Sequence, residues 1–181
     1  MPRILVIGNS GSGKTTLASR ISNLFDIPHI ELDAIFHQAN WSPLDDDAFR
    51  DRVQTETLQT DWVVCGNYSI VRDIIWERAE TIIAIDLPRW KNMWRIVRRT
   101  ARRAIRREEL WNNNREPLKD VLAVHDKERS IIRWAWSMHQ DRRDEINRAL
   151  VDPQWANKQF LVVKNRARAD EVVEMFRTLG R

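Results

Sequence analysis

Residues 3–16 read Arg3-Ile4-Leu5-Val6-Ile7-Gly8-Asn9-Ser10-Gly11-Ser12-Gly13-Lys14-Thr15-Thr16. An aliphatic run, Ile4 to Ile7, leads into a loop of the form Gly-x-x-x-x-Gly-Lys-Ser/Thr. Leu17, Ile21, Leu24 and Phe25 then recur at helical spacing. Glycines let successive peptide N–H groups turn inward, and the helix beginning near Lys14 adds the positive end of its dipole. Both features favour phosphate. The stretch predicts strand, phosphate loop and helix, with Gly8, Ser10, Gly11, Ser12, Gly13, Lys14, Thr15 and Thr16 around the phosphates of ATP. Lys14 neutralises charge between the β- and γ-phosphates, and the Thr15 hydroxyl ligates Mg²⁺.

Outward from this loop, short aliphatic runs alternate with longer amphipathic stretches, the pattern of an α/β domain with a parallel sheet. Further strands are expected at His29–Leu32, Trp62–Cys65, Thr81–Leu87 and Phe160–Val163. Helices are expected from Pro43, with Ser42 as cap, to about Leu58, then at Ser69–Arg78, Arg89–Arg107, across most of Leu118–Leu150, and at Asp170–Leu179. Glu108–Pro117 reads as a polar connector. Residues 1–181 are read as a single domain.

The composition bounds the remaining choices. The 181 residues are 43% hydrophobic and 31% charged, which suits a packed, soluble domain. The aliphatic runs fall far short of the ~20 residues a membrane span needs, and the N-terminus has no signal-peptide core, so a cytoplasmic location is expected. One cysteine, Cys65, allows neither an internal disulfide nor a multi-cysteine zinc site. It is expected to be a small buried residue rather than a nucleophile. The four histidines lack metal-ligand spacing; His37 is a candidate cleft residue. A guanine switch is disfavoured, because no glycine has Asp three residues before it, and Asn157-Lys158-Gln159-Phe160 lacks the carboxylate that would read guanine.

The chain resembles the adenylate-kinase-related P-loop kinases, and more closely the subgroup known as DNA topology modulation proteins. The likeness covers nearly the whole chain. Beyond the phosphate loop it rests on Ile30-Glu31-Leu32-Asp33 with Trp41 downstream, Gly66-Asn67-Tyr68-Ser69, Asp86-Leu87-Pro88-Arg89-Trp90, Arg95-Ile96-Val97-Arg98-Arg99 and Trp111-Asn112-Asn113-Asn114-Arg115-Glu116. The resemblance implies a P-loop NTPase three-layer sandwich, with a five-stranded parallel sheet in the order 2-3-1-4-5 and a helical lid over about residues 95–118. It implies transfer of the γ-phosphoryl of ATP to a small acceptor, left open between a nucleotide, a nucleoside and another hydroxylated metabolite. Asp33, expected at the end of strand two where ligands meet open parallel sheets, orients or deprotonates the acceptor, or binds Mg²⁺ through water. Gly66, Asn67 and Tyr68 line the acceptor side, with Trp41 as a further contact. By the same resemblance Arg95 stacks near the base and Arg99 touches the phosphates. Arg133 is a candidate second clamp, and Arg115 reaches in from the connector. Two positions depart from the relatives: Cys65 stands where they often carry an acid, and Asn113 where the subgroup has Gly.

The charge is uneven. Residues 89–107 hold nine basic residues and no acidic one, on a chain whose net charge is only +4. Arg95, Arg98, Arg99, Arg102, Arg103, Arg106 and Arg107 share one helical stripe, with Trp90, Trp94, Val97, Ala101, Ala104 and Ile105 on the complementary face. Arginines there can close over a transferred phosphoryl group. The same stripe, with Trp111, Trp134 or Trp136 as stacking platforms, supports a second reading: a nucleotide-binding or ATP-hydrolysing regulator that contacts DNA. The expected partners are therefore ATP and a small acceptor, with nucleic acid as the alternative and no membrane, for a monomer or homodimer.

Overall fold

A computed structural model describes residues 2–106, 108–115 and 131–179, without the side chains of 131–135. Five strands, β1 (Arg3–Gly8), β2 (His29–Glu31), β3 (Trp62–Cys65), β4 (Thr81–Ile85) and β5 (Gln159–Val163), form one sheet in the order β2-β3-β1-β4-β5. Every pairing is parallel. The sheet matches the expected order, its crossovers contain α1 (Lys14–Phe25), α2 (Leu32–Phe36), α3 (Asp46–Glu56), α4 (Arg72–Arg78), α5 (Arg89–Arg106) and α6 (Ile131–Val151), and α7 (Arg166–Leu179) follows the last strand.

The three layers follow from the period of two along each strand. Ile4, Val6, Val63, Cys65, Ile83 and Ile85 face Leu17, Ala18 and Ile21 of α1 and Val172, Val173 and Phe176 of α7. Leu5, Ile7, Val64, Ile82 and Ala84 face Phe49 and Val53 of α3, Ile75 and Trp76 of α4, and Ile146 of α6. With both faces covered, the strands can be almost wholly apolar, and β1, β3 and β4 are buried nearly end to end. Trp62 and Trp76 are core residues, as their positions suggest. Among the described residues no helix is long and apolar enough to cross a membrane.

Several local expectations change. Strand two stops at Glu31, and Leu32 opens a short helix, so Asp33 lies in the first turn of α2 rather than at a strand end. The cap of α3 is Asp45, whose carboxylate accepts from Asp47 N and Ala48 N, while Pro43 bridges His37 instead of starting the helix. The last helix starts four residues earlier than expected, at Arg166. The basic helix ends at Arg106, and Arg107 lies outside the described residues, as do residues 118–130 of the expected later helix.

The packing of α5 follows neither the arginine stripe nor the face opposite it. Its buried residues are Asn92, Ile96, Thr100 and Ala104, whereas Trp90, Trp94, Val97 and Ile105 are 67%, 59%, 45% and 75% exposed. Of the face opposite the arginine stripe, the two tryptophans, Val97 and Ile105 thus face out, while Ala101 is half-buried and Ala104 buried. The reason is where the helix rests. Ile96 and the Asn92 carbonyl sit against the phosphate loop at Gly11, and α5 also packs along α6, so a third sector faces inward. Arg98 lies over the Trp94 ring at 5.3 Å, and Lys91 over Trp90 at 5.4 Å.

Candidate active site

The cleft opens at the carboxyl ends of β1, β2 and β3, where the strand order reverses around β1 and open parallel sheets bind ligands. Its volume of about 2030 Å³ exceeds the 300–1,000 Å³ of a typical small-molecule site, leaving room for a nucleotide and a second ligand together. Ser10, Gly11, Ser12, Gly13, Lys14, Thr15 and Thr16 line one wall.

This wall suits a triphosphate. No side chain caps the N-terminus of α1, so its first N–H groups remain for an anion. The Ser12 hydroxyl is buried without a hydrogen-bond partner, in a loop where a phosphate oxygen would supply one. Lys14 Nζ donates to the carbonyls of Gly8 at 3.0 Å and Asn9 at 3.2 Å. Burial lowers the Lys14 pKa, and Asp33 opposes the shift by favouring the charged form. The Thr15 hydroxyl is held only by a 3.9 Å contact to Cys65 Sγ, which leaves its lone pairs for a cation. Among the described residues no group of three His, Cys, Asp or Glu side chains could hold a metal. Mg²⁺ here would rest on Thr15, the nucleotide's own oxygens and the waters of nearby carboxylates.

Those carboxylates form the opposite wall. Asp33 Oδ1 accepts from the Tyr68 hydroxyl at 2.7 Å, so the acid and the aromatic expected on the acceptor side meet. Glu31, which sequence reasoning did not single out, joins them. It ends β2 in register with Cys65 of β3 and lines the cleft. Burial raises its pKa, and the neighbouring Asp33 charge adds to the rise. Cys65 itself is buried, beside His29 Nε2 at 3.3 Å. Burial and then Glu31 push its thiol up to about 12, so it is a neutral packing group, as expected. His37 lines the cleft, and burial lowers its pKa.

Asn67 is engaged differently from its neighbour Tyr68. Its side chain exchanges two hydrogen bonds with the Gly8 backbone, at 3.1 and 2.6 Å. Gly66 and Trp41 line the cleft. Trp41 is pinned from the connector: its backbone N–H donates to Asn114 Oδ1 at 2.9 Å and its indole to the Arg115 carbonyl at 3.1 Å. Asn114 Nδ2 returns a bond to the Gln38 carbonyl at 2.8 Å. Asn113 has φ 61°, a left-handed conformation that Asn accepts better than most residues.

Arginines make the third wall. Arg95, Arg98, Arg99, Arg102 and Arg103 of α5 line the cleft. Arg95 Nη1 donates to the Ser12 carbonyl at 3.0 Å, which sets it against the phosphate loop. Arg99 lies close enough for its charge to act on Lys14. Arg115 is turned away: its guanidinium pairs with Glu109 at 3.1 Å and does not line the cleft. The side chain of Arg133 lies outside the described residues. From the same helix, α6, Arg142 lines the cleft, and its charge also acts on Lys14. Burial lowers the Arg142 pKa, and Arg72 adds to this. Only a register of contacts between α6 and the loop could have revealed Arg142; its sequence surroundings are an ordinary charged helix.

No family model matches the chain, and no curated protein matches it in sequence. Solved structures do match in fold. Shikimate kinase from Acinetobacter baumannii in complex with shikimate is similar at 13% identity, with a TM-score of 0.57 over 99% of this chain and 92% of that one. Shikimate kinase from Bacteroides thetaiotaomicron is similar at 14% identity, with a TM-score of 0.53 over 98% and 97%. An unliganded sugar kinase from Janibacter sp. HTCC2649 is similar at 16% identity, with a TM-score of 0.50 over 97% and 91%. The architecture is that of the small P-loop kinases, an adenylate-kinase-like α/β fold.

Proposed function

We propose that the chain is an ATP-dependent phosphotransferase that acts on a small hydroxylated acceptor. One observation carries this reading: Asp33, steadied by Tyr68, shares a single cleft with Lys14 and acts on its charge. A phosphate-binding lysine and an acid able to orient a hydroxyl therefore face one ligand space. Phosphoryl transfer asks little covalent chemistry of a protein; it asks for positioning and charge stabilisation. Here peptide N–H groups of the loop and of the first turn of α1, other than that of Ser12, which donates to the Asn9 carbonyl, hold the phosphate tail with the Lys14 ammonium. Asp33 accepts a hydrogen bond from the acceptor hydroxyl and aims its oxygen in line. Arg99, with Arg142, stabilises charge on the moving phosphoryl group, and Arg95 flanks the nucleotide. Thr15 holds Mg²⁺, which when bound screens the β- and γ-phosphate charge. Glu31 supplies the second carboxylate at the position in the sheet next to Cys65.

The test is a panel of acceptors with γ-labelled ATP. It begins with shikimate and simple sugars, for which the similar structures are named, and extends to nucleosides and nucleotides. Label should appear on at least one acceptor and vanish with Lys14→Ala. Slow hydrolysis alone, with no acceptor labelled, overturns the kinase reading.

A second reading has its own observation. Exposed Trp90 and Trp94 stand beside the basic sector of α5, an arrangement that suits stacking and backbone contact on a nucleic acid. The resemblance to the topology modulation subgroup, carried by the residue strings above, is compatible with this reading. A regulator that grips DNA through α5 should lose affinity steeply as salt rises. No measurable DNA binding at low salt removes it.

A further inference from the structure

The Asn67 side chain makes two bonds to the backbone of one residue, Gly8. Gly8 N donates to Asn67 Oδ1 at 3.1 Å, and Asn67 Nδ2 donates to the Gly8 carbonyl at 2.6 Å. This is the double exchange that a backbone residue makes in a sheet ladder. It stands where the β1–β3 pairing runs out after Val6↔Cys65 and the bond from Gly66 N to Val6 O. The amide thus adds one more rung after the strands have parted. The residue it holds, Gly8, has φ +150°, and a Cβ there would lie 2.6 Å from the Ile85 carbonyl, so no bulkier residue could fix this peptide by packing. The Gly8 carbonyl has a second donor, Lys14 Nζ at 3.0 Å. On the other side, the residue after Asn67 is Tyr68, which holds Asp33.

We propose that Asn67 is a positioning residue for the phosphate loop. It fixes the first peptide of the loop and remains the donor at the Gly8 carbonyl when Lys14 turns to a phosphate. The inference rests on the ATP-binding reading above. It departs from the expected role of Asn67 as an acceptor contact, because both polar atoms of the amide already have backbone partners. It also explains how the loop and the acceptor acid keep one geometry: consecutive residues, Asn67 and Tyr68, tie Gly8 and Asp33 to the end of β3. Without the amide, the Lys14 ammonium would leave the Gly8 carbonyl without a donor each time it engaged a phosphate, and the lysine would be held back accordingly.

The experiment measures Mg·ATP affinity by calorimetry for the native protein, Asn67→Asp and Asn67→Ala at pH 7.5 and pH 5. Aspartate keeps the acceptor for Gly8 N but sets a carboxylate against the Gly8 carbonyl. Once protonated it regains an O–H donor in nearly the place of Nδ2. Asn67→Asp should bind at least tenfold more weakly than native protein at pH 7.5. The ratio should return to within threefold at pH 5. Asn67→Ala should stay weak at both and serves alone if the aspartate variant fails to fold. A general packing role predicts no such recovery. Native binding with both variants equal to it overturns the inference alone, and so does an Asn67→Asp ratio that ignores pH. Absence of Mg·ATP binding by the folded native protein overturns the ATP-binding reading itself, and this inference with it.

Discussion

The Tyr68 hydroxyl donates to Asp33 Oδ1 at 2.7 Å across the acceptor wall of the cleft. Burial raises the phenol's pKa, and the Asp33 charge raises it further, so Tyr68 stays a donor at any pH the protein survives. A hydrogen bond to a charged group contributes about 1.5–3 kcal/mol. Tyr68→Phe removes the donor and keeps the ring packed against Phe36 and Phe49. Acceptor kcat/KM should fall about ten- to a hundredfold, while the Mg·ATP dissociation constant changes less than threefold. Steady-state kinetics beside calorimetry reads both; unchanged acceptor kinetics would show that Asp33 needs no help from Tyr68.

Arg99 and Lys14 are near enough to disfavour each other's charge. Two cations at one wall of the cleft attract an added anion, and a phosphoryl group in transit carries dispersed negative charge for them to stabilise. Arginines serving this role in other phosphoryl transferases supply on the order of 10³–10⁵ in kcat. Arg99→Ala should cost at least a hundredfold in kcat with under a fivefold change in ATP affinity. Equal losses in kcat and affinity would place Arg99 on the ground-state nucleotide instead.

Cys65 stands between Thr15 and His29, 3.9 and 3.3 Å away, in a position that invites thiol chemistry. The electrostatics point the other way. Burial, with Glu31 beside it, pushes the thiol up to about 12, far above an ordinary cysteine. Reactivity follows the thiolate, whose share at pH 8 falls roughly tenfold for each unit by which the pKa rises. Alkylation at pH 8 should be on the order of a thousandfold slower in the folded protein than in urea. Rates should climb as pH rises toward the thiol's own value. A folded-state rate equal to that in urea would mean the sulfur is exposed and ionised.

The phosphate loop was legible because its chemistry is local: glycines, lysine and threonine must be consecutive to wrap one anion. The sheet order was legible only through resemblance, since nothing in Trp62–Cys65 says which strand it joins. Glu31 escaped notice because its importance comes from register; it matters by lying across from Cys65, two residues before Asp33. The short helix α2 escaped because five residues carry no period. The buried face of α5 was not legible from its pattern of arginines and apolar residues. The helix instead buries Asn92 and Thr100 with Ile96, since it leans on a polar loop and a neighbouring helix rather than on the sheet. A sequence pattern reports which residues are apolar, and only the docking partner decides which face is covered.

That docking is tight at one point. A Cβ on Gly11 would lie 2.6 Å from Ile96 Cγ1 and 2.9 Å from the Asn92 carbonyl, at a φ of +73°. Ile96 is fully buried there. Gly11→Ala therefore meets two obstacles: a left-handed backbone that costs a β-carbon about 1 kcal/mol, and a collision with α5. The side-chain obstacle can be cleared and the carbonyl cannot. Gly11→Ala should weaken Mg·ATP binding by at least tenfold and lower the melting temperature. Gly11→Ala with Ile96→Ala should not restore binding, because the Asn92 carbonyl stays in place and the second substitution leaves a cavity worth about 2–5 kcal/mol. Calorimetry and thermal melts on the two variants and on Ile96→Ala alone separate the terms. Restored affinity in the double variant would mean that only the isoleucine had stood in the way, and that the α5 backbone is free to retreat from the loop.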